Sequence, residues 1–218
     1  MNEFIPGELG FTIAANSLHT GVLGELTSGL YAALEPGFAV VYVLALAAFI
    51  AWRAGDYRRG LEFGATVAAT WLPVVFIKML VARPRPEPSL LPHPTAFTPG
   101  DWSFPSGHTA FTMALAVSPF LFSRNRVLRI LAVVLVPVVC ATVLINGVNY
   151  PTDVAFSLVW SGALAPLWAR LACRVGSLLP ERFGSDRGQL SDGRSERTYQ
   201  PSTENLHDQT QPPVTARG

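Results

Sequence analysis

The chain has 218 residues, enough for one domain, and half of them are hydrophobic while only 14% are charged. Soluble domains carry roughly 25% charged residues, so this composition points to a bilayer rather than to water. The net charge of +1 gives no reason to expect a nucleic acid or a strongly acidic partner.

The N-terminal region places Phe11, Ala15, Leu18, Val22, Leu26 and Leu30 at helical spacing, interrupted by Asn16, His19 and Glu25. A charge in mid-bilayer is costly, so the pattern predicts an amphipathic helix at the interface within 1–36. A sixth span is the alternative. Glu3 and Glu8 precede the first apolar stretch and no basic residue does, so no cleavable secretion signal is expected.

Five apolar segments follow, at about 37–52, 61–80, 107–122, 127–144 and 154–171. Several are short against the roughly 17–25 residues a crossing helix needs. The expected fold is all-α: a polytopic membrane bundle over 37–174 with about five transmembrane helices. Cys140 and Cys173 lie in apolar stretches without metal-site spacing and read as small hydrophobes.

Arg53, Arg58 and Arg59 follow the first span, Arg124, Arg126 and Arg129 the third, and Arg170 and Arg174 close the fifth. The positive-inside rule makes that side cytoplasmic. It leaves the N-terminus and the loops after spans two and four outside, as in a plasma-membrane protein. From Glu181 the chain turns to Ser, Gln, Pro, Thr and mixed charge. Such a stretch buries too little apolar surface to order itself, and 181–218 reads as a disordered cytoplasmic tail.

The outer loops hold the chemistry. Lys78, the only lysine, sits near the end of span two, followed by Arg83-Pro84-Arg85-Pro86. The prolines stop the helix and turn the chain, which can fold Arg85 back toward Lys78. Three cations snorkelling to lipid headgroups is the alternative, although it breaks the charge asymmetry the other loops obey. Before span three runs Pro105-Ser106-Gly107-His108. Ser106 suits an N-cap, Gly107 allows close backbone approach, and the free N–H groups of the first turn can hold an anion. His108 could pass a proton to a leaving oxygen. An ordinary capped helix start with an incidental histidine is the alternative.

Lys78 with Arg85-Pro86 after six intervening residues, then Pro105-Ser106-Gly107-His108, then Asn146 to Asp153, stand in the order of three signatures. Together they resemble those of the type 2 phosphatidic acid phosphatase (PAP2) superfamily, over about 61–171. The resemblance implies that Lys78, Arg85, Ser106 and Gly107 bind phosphate and that His108 protonates the leaving group. It implies no metal and no cofactor, and a substrate such as a lipid phosphate or polyprenyl diphosphate within the membrane lipids.

The third signature departs from the family. Asn149 stands where the nucleophilic histidine belongs, Val143 where a phosphate-binding arginine belongs, and Thr142 where the preceding serine belongs. Asp153, which would orient the histidine, is present. A carboxamide nitrogen has a delocalised lone pair and cannot become a phosphohistidine. Three readings stay open: a phosphatase using direct water attack, with His108 and Asp153 sharing acid and base roles; a scaffold that binds a lipid phosphate without turnover; and a structural membrane protein.

Overall fold

The computed structural model describes residues 3–95 and 101–179. The expected tail lies outside the described residues. Seven α-helices occur among them: α1 Glu8–Asn16, α2 Gly21–Ala33, α3 Pro36–Ala54, α4 Tyr57–Val81, α5 Gly107–Phe122, α6 Arg126–Ile145 and α7 Pro151–Gly176. A short 3₁₀ turn, Pro88–Leu90, lies in the loop between α4 and α5.

Four helices, α3, α4, α6 and α7, are long and apolar enough to cross a membrane, and α5 is a shorter apolar helix of 16 residues. Their outer faces carry large apolar side chains with no protein cover: Phe76 is 69% exposed and Leu80 85%. Such faces in a folded chain belong against lipid. The interior mixes apolar packing with small polar residues. Phe63, Val67, Trp71 and Val74 of α4 pack on Ala110, Phe111 and Ala114 of α5 and on Ala39 of α3. Between helices, Ser161 Oγ donates to the Ala110 carbonyl at 3.0 Å and the Trp160 indole to the Thr70 carbonyl at 3.1 Å. Where both surroundings are apolar, such bonds and close backbone approach hold helices together. Gly60 supplies the closest approach: a Cβ there would sit 2.3 Å from the Ala47 carbonyl oxygen of α3.

Local signals set the helix ends. The Asp56 side chain accepts from the Arg58 N–H at the start of α4, and Asn125 accepts from Val127 and Leu128 at the start of α6. Ala82, in the left-handed region, ends α4 just before the Arg-Pro-Arg-Pro run. Pro151 opens α7 at a position where a missing N–H costs nothing.

The N-terminal stripe differs from expectation. It is two helices, α1 and α2, rather than one. Asn16 ends α1 because its side chain is turned inward, accepting from the His93 N–H at 2.8 Å and donating to the carbonyls of His93 and Ile145. That docks the N-terminal region onto the end of α6. Gly147 makes the contact possible: its φ is +68°, and a Cβ would meet Leu91 at 2.7 Å and the Asn16 amide at 3.1 Å.

The helices alternate in direction. The start of α4 meets the end of α3 through Gly60 and the end of α7 through Arg58, which donates to the Leu179 carbonyl. The end of α4 meets the starts of α5 and α7. The arginine clusters therefore gather at one end of the bundle, and the three signatures at the other.

Candidate active site

At the signature end, Lys78, Arg85, Gly107, His108 and Asn149 line one cavity of about 280 Å³, with Asp101 at its edge. Lys78 reaches it from the last turn of α4 and donates to the Trp102 carbonyl. Arg85 is folded back by the two prolines, as the sequence suggested, and donates to the Val148 carbonyl. The two cations share one carboxylate: Asp101 lies 2.6 Å from Arg85 Nη2 and 3.9 Å from Lys78 Nζ.

Gly107 begins α5, and a Cβ there would fall 3.7 Å from Lys78 Cε. The backbone thus approaches the cavity without filling it. The His108 ring stacks on Tyr31, with centroids 4.1 Å apart. Its Nε2 is 3.2 Å from the Tyr31 carbonyl. A carbonyl only accepts, so Nε2 carries a hydrogen there and Nδ1 is the atom left to gain or lose a proton. Tyr31 is in α2, so the N-terminal region forms a wall of the site. Burial pushes the Tyr31 phenol above its ordinary pKa.

Ser106 and Asp153 lie behind the cavity wall, and Asn149 lines the cavity with its amide bonded behind it. Ser106 is fully buried. It caps α5, accepting from the Thr109 N–H at 3.5 Å and hydroxyl at 3.0 Å, and faces Asn149 Oδ1 at 3.4 Å. Asn149 is 2% exposed, and its amide donates to the Ser103 carbonyl at 2.6 Å and toward Asp153 at 3.4 Å. Val143 packs with Val148 and Val154 in a closed cluster. That cluster holds no space for the arginine the signature would place there.

Asp153 is fully buried, and both of its oxygens are engaged. Oδ2 accepts from the Tyr150 N–H at 2.8 Å, holding the first turn of α7. Oδ1 accepts from Arg83 at 2.6 Å. Arg83 is not among the residues that line the cavity. Its guanidinium also pairs with the buried carboxylate of Glu8 and donates to Thr152 at 2.8 Å. It lies 4.0 Å from the Phe4 ring centroid and 3.9 Å from that of Tyr150. This ring stacking is one a lysine could not reproduce.

Arg83, Glu8, Asp101 and Tyr31 are the residues sequence reasoning missed. Arg83 alone carried a usable signal, as the one cation of the Arg-Pro-Arg-Pro run outside the signature. The other three are joined to the site by tertiary contacts without local pattern.

The model of the PAP2 superfamily matches residues 59–175. The chain belongs to the PAP2 superfamily. Two curated relatives, from Mycobacterium tuberculosis strains CDC 1551 and H37Rv, are each named decaprenylphosphoryl-5-phosphoribose phosphatase. Each is 39% identical over 102 residues, or 45% of this chain and 52% of the relative. The match thus spans about half the length of those relatives. A solved PAP2-type phosphatidylglycerolphosphate phosphatase from Bacillus subtilis shares the fold, with a TM-score of 0.62 at 20% identity. The likeness covers 80% of this chain and 87% of that one.

Proposed function

We propose that this PAP2-family membrane protein holds the phosphate head of a membrane lipid between Lys78, Arg85, His108 and the first turn of α5. In this reading covalent turnover is impaired because Asn149 stands at the nucleophile position. One observation carries it: Lys78, Arg85, His108 and Asn149 line one cavity, and the group at position 149 is a carboxamide whose amide is already bonded to the Ser103 carbonyl and directed toward Asp153. Two fixed cations in a partly dry site stabilise phosphate charge without reorganising, which suffices for binding. Transfer to the protein also needs a nucleophile, and the Asn149 carboxamide offers no nucleophilic nitrogen, because that lone pair is delocalised.

The ligand class this reading favours is a phosphate carried on a polyprenyl or other long apolar chain, since both curated relatives are named for a decaprenyl-linked substrate. Those names also support a second reading, slow hydrolysis by water with His108 giving its proton to the leaving oxygen. The arginine clusters at the opposite end favour a cytoplasmic C-terminus and a site on the outer face of the plasma membrane. Impermeant thiol labelling of Ser89→Cys but not Gly193→Cys in intact cells checks that orientation.

Binding is tested by thermal unfolding in detergent with inorganic phosphate, vanadate or a polyprenyl phosphate. A ligand at about 100 times its dissociation constant adds roughly 2.7 kcal/mol to stability. Lys78→Met and Arg85→Leu should each remove most of the resulting Tm shift. Equal shifts in wild type and both variants would place the anion elsewhere. Release of inorganic phosphate from the lipid by wild type, abolished in His108→Ala, would favour the second reading.

A further inference from the structure

Asp101 stands against the two cations that the reading above assigns to a phosphate. Its carboxylate contacts both cations assigned to the phosphate, at 2.6 Å from Arg85 and 3.9 Å from Lys78. The Arg85 and Lys78 side chains are 4% and 18% exposed, while that of Asp101 is 39% exposed. The cations are thus set into the protein, and the anion lies on its open side, in a loop that joins two helices.

Buried cations without a counter-charge are strongly unfavourable, so an empty phosphate site at this depth needs a substitute anion. A carboxylate serves because its two oxygens match guanidinium geometry. Its single charge is weaker than that of a phosphate monoester, which carries about −1.5 to −2 at neutral pH. Two cations facing Asp101 leave a net single positive charge. Two cations facing a phosphate monoester are close to neutral. The exchange therefore favours the phosphate, but only against the cost of releasing Asp101.

We infer that Asp101 is a built-in competitor: it neutralises Lys78 and Arg85 while the site is empty, and a phosphate monoester must displace it to bind. The inference rests on the phosphate site proposed above and adds a residue that sets its affinity. Asp101 swings toward solvent on binding, and no bond is made or broken. Its role is to set the threshold at which ligand is retained, so that weaker anions do not hold the site.

The test compares wild type, Asp101→Asn and Asp101→Ala, each purified in detergent and titrated with inorganic phosphate in one arm and dioctanoyl phosphatidic acid in the other. Tm is recorded with and without ligand. Removing the competing charge should tighten binding within the roughly 5–150-fold range usual for coupled sites. Without ligand, both variants should melt below wild type, because their cations have lost a partner. Tightening in both arms means that the phosphate group alone displaces Asp101. Tightening with the lipid alone assigns the exchange to a lipid headgroup. Equal affinities in wild type and variants, with binding intact, overturn the inference and leave the site standing. Absence of binding in all three proteins overturns the site and the inference together.

Discussion

The two halves of the signature end use the same kinds of residue for opposite purposes. On one side, Lys78, Arg85 and His108 face a cavity, and their nearest counter-charge is a half-exposed loop carboxylate. On the other, Asp153 and Arg83 are buried and bonded to one another, to the backbone and to Glu8, and Asn149 stands between the two halves, lining the cavity with its amide bonded behind it. A cation is available to a ligand only where its partner can leave. The Asp101 side chain is 39% exposed, while those of Glu8 and Asp153 are 3% and 0% exposed and enclosed by protein. On the function proposed above, the difference separates binding from architecture within one set of motifs.

The largest break in that comparison comes from Arg83. Arg83→Met strands two buried carboxylates and removes the stacking between Phe4 and Tyr150. Breaking a buried charge network by deleting one partner costs about 3–5 kcal/mol, and chemical denaturation in mild detergent should show a loss of that order. A loss below about 1 kcal/mol, the level of an exposed ion pair, would mean that this half is not the structural one.

A smaller effect is expected with pH at Glu8. Burial alone would raise its pKa, but bonds from the Thr152 hydroxyl and the Phe4 N–H and the charge of Arg83 more than offset it, leaving the pKa below the ordinary value. A depressed carboxylate contributes stability that is full above the unfolded pKa, about 4.3. That stability is lost as pH falls through the folded one. Wild type should therefore lose Tm on acidification below about pH 4.5 more steeply than Glu8→Gln. Parallel profiles would remove Glu8 from the network.

Much of this was legible in the sequence. Helix existence followed from apolar length, and the turn after Val81 from Pro84 and Pro86. Arg85 folds back toward Lys78 because the prolines leave it little else to do. What was not legible is what Arg83 does. Arg83 and Arg85 are two residues apart with identical local chemistry, and only Glu8, far off in sequence, diverts one of them. The division of the N-terminal stripe was hidden for the same reason: Asn16 reads as an interruption until Ile145 and His93 lie beside it. The departure from the family's third signature was readable from Asn149 alone. The repacking of Val143 with Val148 and Val154 was not, and it turns Val143→Arg from a repair into an overpacking of the core, which costs about 1–3 kcal/mol or more.

The most direct test is therefore the single substitution Asn149→His, assayed beside wild type for release of inorganic phosphate from a polyprenyl phosphate and for acid-labile, base-stable phosphate on the protein. The account predicts that wild type binds the lipid and shows neither signal above background. It predicts that Asn149→His gains both, since Lys78, Arg85 and His108 already face the cavity and Asp153 lies within reach of position 149. Wild-type release equal to that of Asn149→His would contradict it, because the site would then be turning over phosphate without a nucleophile at position 149.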